Sequence, residues 1–287
     1  IAIFGSQQME STRELTARPR SEHAQVKTGR GGLRKFISDC WLIFCREVLR
    51  TVREPVWVFA GLTQPIFYLL FFGPLVKSIP GYSTTPGVSS MDVFAPGLLI
   101  QVGLFGAAFV GFGIINEIRL GIIERFRVTP VSRAALLLGR SFRDVLVLEI
   151  QSLLIIVLAS LFFDLNVTLS GVAATLVIIA FLGLALSSIS YALGIHLKSE
   201  DALAPVLNVF ILPIILLAGI LLPLTYAPGW MKTVAKLNPL SYIVTASREL
   251  FAGNVWDADV AKGFLAVGTV ALLGLWWGIR SIRTAAA

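Results

Sequence analysis

Residues 93–116 read VFAPGLLIQVGLFGAAFVGFGIIN, and no charged side chain interrupts them. About 20 such residues in a helix cross a hydrocarbon core roughly 30 Å thick. The stretch therefore points to a membrane protein, and comparable charge-free windows run over 55–76, 165–197, 202–231 and 263–279. A sixth span covers about 145–163 with Glu149 as its one charge, and the helix inside the window from Leu165 starts near Gly171 after a short turn. The predicted spans are about 55–76, 93–116, 145–163, 171–195, 203–223 and 263–280, an all-α integral membrane fold of six transmembrane helices. Six spans put both termini on one side.

Composition agrees with this reading. With 56% hydrophobic and only 14% charged residues, and a mean hydropathy of +0.81, the 287-residue chain differs from soluble domains, in which roughly a quarter of residues are charged. The same figures exclude a disordered chain. Of 24 Lys and Arg, nineteen fall in the tail, the loop after the second span, the turn at Lys198 and the C-terminal end; the other side holds five, Lys77, Lys232, Lys236, Arg248 and Lys262. Basic residues are retained in the cytoplasm, so both termini are predicted to be cytoplasmic. The net charge of +7 is then explained by topology and by attraction to anionic lipid, with no need for nucleic acid.

Residues 1–32 mix charges and glycines with few large apolar side chains and read as a flexible cytoplasmic tail. The first thirty residues lack the apolar core of a signal peptide, so the first span is expected to insert itself. The chain opens at Ile1, and Ile1 to Gln8 read as an added leader before a native start at Met9. Over 33–54, Leu33, Phe36, Ile37, Cys40, Trp41, Phe44, Val48 and Val52 recur at helical steps, with Lys35, Asp39, Arg46, Glu47, Arg50 and Arg53 on the other face. That pattern predicts an amphipathic helix along the inner membrane surface, ended by Pro55. Cys40 and Cys45 read as small apolar residues rather than a metal or redox pair.

Two non-membrane pieces carry more information than the rest. After the second span, residues 117–133 read EIRLGIIERFRVTPVSR, with alternating charge and Ile118, Ile122 and Phe126 at helical spacing, a short helix that must end before Pro130. Between the fifth and sixth spans, Asn238 and Pro239 start a helix, Leu240, Ile243, Val244, Leu250 and Phe251 form a membrane-facing stripe, Arg248 and Glu249 a polar one, and Gly253 a stop. A re-entrant helical pair in the outer leaflet fits that pattern. The connection from Lys77 to Asp92 reads as a simple loop.

No catalytic constellation is visible. His23 and His196 are the only histidines, and no phosphate-binding G-x-x-x-x-G-K-[ST] occurs. ATP, if used, is bound by another chain. Polar residues inside spans, Gln64, Gln101, Glu149, Gln151 and Asn208, are either interhelical glue or substrate contacts. Small residues Gly183, Ala185, Ser187, Ser188, Ala192 and Gly194 predict close packing of the fourth span.

The loop with Gly121, Glu124-Arg125, Thr129-Pro130, Arg133 and Leu138-Gly139-Arg140 resembles the cytoplasmic loop of ABC-2 type permeases, the membrane subunits of ATP-binding-cassette exporters. The segment with Pro228, Trp230, Asn238-Pro239-Leu240, Tyr242, Arg248 and Gly253 is similar to the stretch before the last span in the same family. The resemblance covers roughly 33–283. It implies a dimer of six-span permeases with two cytoplasmic ATPase subunits, which carry the ATP and Mg; this chain needs no cofactor and no metal of its own. It also implies an interface helix at 33–54, a coupling helix at about 120–128, and coupling to the ATPase through Glu117, Gly121, Glu124, Arg125, Arg127, Thr129 and Pro130. Gln64, Gln101 and Asn208 become substrate-pathway candidates, and Asn238, Pro239, Arg248 and Glu249 belong to the external hairpin. The Glu124-Arg125 and Thr129-Pro130 pattern is most similar to the daunorubicin-resistance type, implying export of an amphiphilic drug, antibiotic or lipid. Lipid-linked polysaccharide and teichoic-acid exporters share the fold. A membrane-embedded lipid-modifying enzyme would need a reactive cluster that Glu149 alone does not supply.

Overall fold

The computed structural model describes residues 32–79, 82–83, 88–122, 131–163, 165, 167–221 and 223–285. Among them every regular element is helical: α1 (Leu33–Arg53), α2 (Val56–Ser78), α3 (Ser90–Ala108), α4 (Gly111–Arg119), α5 (Arg133–Phe163), α6 (Leu169–Leu197), α7 (Glu200–Ala218), a 3-10 turn at Leu224–Tyr226, α8 (Gly229–Ala235), α9 (Pro239–Phe251) and α10 (Ala258–Ala285). Six stretches are long and apolar enough to cross a membrane: α2, α3 with α4, α5, α6, α7 and α10.

Local chemistry sets the helix starts. Ser89 and Asp92 form a reciprocal capping box ahead of α3, at 3.1 and 2.9 Å. Ser132 Oγ accepts from the Ala135 amide at 3.1 Å, and Thr168 Oγ1 from the Gly171 amide at 3.2 Å. The third span thus begins its helix at Arg133, about three turns before the apolar window at 145. Arg140, Arg143 and Asp144 are part of that helix rather than of a loop, because other helices supply partners for Arg140 and Asp144 and Asp144 pairs with Arg143. The fifth span, α7, closes earlier than 223, at Ala218, with Gly219 left-handed at φ 70°.

Helix α6 is the hub, packing on α3, α4, α5, α7, α9 and α10. Its small residues make this possible: a Cβ on Gly274 of α10 would stand 2.6 Å from the Ala185 carbonyl oxygen. The main core joins Phe94, Leu98, Ile155, Ile179, Leu182 and Leu250. Helix α9 belongs to it, burying Leu240, Ile243, Val244, Leu250 and Phe251 against α3, α6, α7 and α10. The stripe expected to face lipid therefore faces the bundle. The connection from Lys77 to Asp92 also does more than join spans, since Tyr82 is buried and its hydroxyl donates to the Leu221 carbonyl at 2.6 Å. Helices α2 and α7 are the least enclosed spans, leaving Phe59, Phe67, Phe71, Val209, Phe210 and Leu212 exposed.

Candidate functional site

Two clusters stand at opposite ends of the bundle. At the end that carries α1, this helix lies against α5. The contact is close because α5 has a glycine there: a Cβ on Gly139 would be 2.8 Å from the Ile43 Cβ. Helix α1 turns Ile43 and Glu47 inward, both buried, so Glu47 departs from the solvated face expected of it, while Leu33, Ile37 and Trp41 stay exposed. The pairing of Glu47 with Arg46 at 2.7 Å compensates for burial of its charge.

Glu117, on α4, is the centre of this joint. It is buried, accepts from the buried Arg140 of α5, and accepts from Arg50 Nη1 of α1 at 2.9 Å. One helical turn along α5, Asp144 pairs with Arg143 at 3.1 Å and accepts from the Tyr191 hydroxyl of α6 at 2.6 Å. Helices α1, α4, α5 and α6 are thereby linked through charged or phenolic groups. Such groups lose several kcal/mol each on leaving water, and tolerate burial only while paired.

The placement changes the role of Glu117. Expected on a face offered to a partner, it instead anchors the start of the loop to two other helices. Gly121 ends α4 at φ 66°, with its amide bonded to the Ile118 carbonyl at 3.0 Å; the left-handed backbone is what calls for glycine there. Glu124, Arg125, Arg127, Thr129 and Pro130 lie outside the described residues. Arg119 reaches Glu200 at 3.1 Å, tying the end of the second span to the start of the fifth at an exposed position.

The second span is broken between Ala108 and Gly111, and Ser190 of α6 holds the break. The Gly111 amide donates to Ser190 Oγ at 2.8 Å, and the same hydroxyl donates to the Ala108 carbonyl. A single side chain thus satisfies a donor and an acceptor freed by the interruption.

The pathway candidates are separated. Gln64 is exposed on α2, its Nε2 3.5 Å from the Tyr68 hydroxyl, and Asn208 is exposed on α7, bonded back to the Ala204 carbonyl of its own helix at 3.0 Å. Gln101 is buried in α3, and its Oε1 has no partner among the described residues. Within one chain the three do not share a surface. Gln151 joins α5 to α2 through the Val58 carbonyl at 2.9 Å, the structural role open to it.

At the other end, Asn238 caps α9 by accepting from the Leu240 amide at 3.0 Å, ahead of Pro239 at the first helical turn. Its Nδ2 also donates to the Ile214 carbonyl of α7 at 2.8 Å. Arg248 was expected on a wet face with Glu249. Instead its Nε donates to the Val93 carbonyl at 2.9 Å, and Nη2 to the Gly219 and Ile220 carbonyls at 2.7 and 3.1 Å. The Gly219 and Ile220 oxygens lie just past the C-terminus of α7, where carbonyls lack intrahelical partners, and the Val93 oxygen belongs to the first turn of α3. Burial lowers the Arg248 pKa to about 10, so the guanidinium stays charged at neutral pH. Glu249 accepts from Asn254 Nδ2 at 2.9 Å, closing the turn after α9.

The pattern shared by ABC-2 type transporters matches residues 38–252, a stretch that contains both clusters. The chain belongs to the ABC-2 type transporter family. Its relatives include the ycf38 protein of Pyropia yezoensis, 27% identical across 83% of this chain and 84% of that protein. The daunorubicin resistance ABC transporter permease protein DrrB1 of Streptomyces coeruleorubidus is 26% identical across 77% and 80%. The inner membrane transport permease YadH of Escherichia coli (strain K12) is 27% identical across 83% and 92%. This ABC-2 chain is accordingly a transport permease, a membrane subunit that works with ATP-binding-cassette ATPases and is not itself an enzyme.

Roles for Arg50, Arg140 and Ser190 in this permease were not visible in the sequence. Arg140 stands in the Leu138-Gly139-Arg140 motif, but its partner lies 23 positions away. An arginine and an acid continuing in helical register after the loop, Arg140 and Asp144, were the available signal.

Proposed function

We propose that this permease exports an amphiphilic drug, antibiotic or lipid-like molecule across a bacterial plasma membrane, as one of two permease copies above two ATPase subunits. Both termini are cytoplasmic in this reading, which the distribution of basic residues supports. The observation that carries it is the attachment of Glu117 to Arg140 and Arg50. The loop at about 120–128 leaves the bundle from a joint that grips α1, α4 and α5 together, so a push on the loop is passed to several helices. A partner shifts a conformational equilibrium only by its differential affinity for the two states, and such a joint lets nucleotide-dependent docking at the loop bias the whole bundle. Glu124, Arg125, Arg127, Thr129 and Pro130 make the contact with the ATPase. The exposed apolar faces of α2 and α7 support a second copy there, bringing Gln64 and Asn208 to the substrate. The similarity to a daunorubicin resistance permease supports the substrate class.

The test is reconstitution of the permease with its cognate ATPase in inside-out vesicles. ATP-dependent uptake of a fluorescent amphiphilic drug, abolished when either subunit is omitted, is expected. Uptake no greater than with ATPase alone refutes export of this class.

A further inference from the structure

A groove of about 430 Å³ separates the first half of α1 from the middle of α5, walled by Ile37, Trp41, Phe44, Phe142 and Leu146, with Glu149 at its edge. That volume is within the roughly 300–1,000 Å³ of small-molecule sites. The walls are apolar and partly aromatic, with Trp41 and Phe44 stacked at 5.4 Å. Trp41 and Phe142 are exposed, so the groove is open from the side.

Glu149 is the anomaly in this wall. Its Oε1 is buried and makes no hydrogen bond among the described residues, and no ion pair reaches it. Three arginines of the same two helices are engaged elsewhere, Arg46 with Glu47, Arg140 with Glu117 and Arg143 with Asp144. An ionisable group within a membrane span is costly without a counter-charge, and no salt bridge to Glu149 forms among the described residues. The missing partner is one positive charge joined to an apolar body.

We infer that the groove between α1 and α5 binds a lipophilic amine, its ammonium against the Glu149 carboxylate and its hydrocarbon along Trp41, Phe44 and Phe142. An anionic amphiphile is repelled by the carboxylate, and a neutral one leaves it unpaired. The site excludes Gln64, Gln101 and Asn208, and it stands whatever the permease transports, because binding alone is measured.

The full-length protein in phosphatidylcholine nanodiscs is titrated with 12-(dansylamino)dodecylamine, and with 12-(dansylamino)dodecan-1-ol as the uncharged control. Wild type is expected to prefer the amine by about tenfold or more, as one charge-assisted contact allows. Glu149→Gln should lose that preference while binding the alcohol within about twofold of wild type. Cys40 also lines the groove, so in a Cys45→Ser background the amine should slow its alkylation, and Glu149→Gln should abolish the protection. Amine binding by folded Glu149→Gln within about twofold of wild type overturns the proposal. Should that variant not fold, Leu146→Trp, which fills the groove from an exposed position, must weaken amine binding; unchanged binding is again fatal. Slow Cys40 alkylation without amine, made fast by deleting residues 1–31, would assign the groove to the chain's own tail and likewise overturn it.

Discussion

Arg140 donates to the carboxylate of Glu117 from a helix that begins 16 positions after Glu117, and the two side chains are only 4% and 5% exposed. The pair encloses the loop between the second and third spans at its base. Whatever the loop contacts, its footing is internal and electrostatic.

Removing one member should therefore be worse than removing both. Glu117→Ala leaves Arg140 buried without its anion and is expected to cost about 3–5 kcal/mol, read as a lower thermal midpoint of the purified protein. Replacing the pair together, Glu117→Leu with Arg140→Met, should recover much of the loss. Equal destabilisation by the single and double variants would show that the pair does not act as a unit.

The loop charges beyond it should behave in the opposite way. Glu124→Ala and Arg125→Ala are expected to leave insertion and thermal midpoint unchanged, while weakening ATPase docking by about 2–5 kcal/mol. Copurification and substrate-dependent ATP turnover measure this. Wild-type values for both variants would remove these residues from the coupling surface.

Arg248→Lys keeps the charge but loses the fork that reaches three carbonyls. With hydrogen bonds to charged groups worth about 1.5–3 kcal/mol each, and lysine able to retain only part of the set, we expect a loss of about 2–4 kcal/mol in thermal unfolding. A substitution without effect would mean that water can replace the guanidinium at the end of α7.

Cys40 and Cys45 should differ in their alkylation. Burial, and then the neighbouring Asp39 carboxylate, raises the Cys40 pKa above the ordinary thiol value. The thiolate is the nucleophile, so a raised pKa means less of it at pH 8, and the Cys40 rate should still be climbing with pH where an ordinary thiol has levelled off. Single-cysteine variants labelled with iodoacetamide from pH 7 to 10 provide the comparison.

Topology is open to a direct check once both native cysteines are removed. A cysteine at Thr85 should label from outside and one at Arg127 from inside. Labelling of both from the same face would contradict the six-span orientation.

Hydrophobic patterning made the number of spans legible, because crossing a membrane is a demand on composition that each helix meets separately. The start signal at Asn238 and Pro239 is equally local. What the pattern concealed was pairing at a distance. Arg143 and Asp144 look like loop charges until Tyr191, 47 positions beyond Asp144, supplies the hydroxyl that the carboxylate needs. Arg248 looks like a solvated side chain until the end of α7, 29 positions earlier, presents the Gly219 oxygen. The amphipathicity of α9 was read correctly in period and wrongly in direction, since an apolar stripe does not say whether lipid or protein will cover it. The same holds for Glu117, whose sequence neighbours Asn116 and Ile118 are uncharged and whose ionic partners, Arg50 and Arg140, stand on other helices.

The interruption at Phe109 and Val110 divides the second span into two pieces with different allegiances. The shorter, α4, has nine residues and is about 13 Å long at 1.5 Å per residue. One end is pinned by the hydroxyl of Ser190, and the other carries Glu117 and the exit to the loop. In the proposed transport cycle this arrangement makes α4 a lever with its fulcrum inside the bundle, able to swing about Ser190 when the loop is displaced. The long segment of the span can thus hold its seal against the neighbouring helices while the short one works.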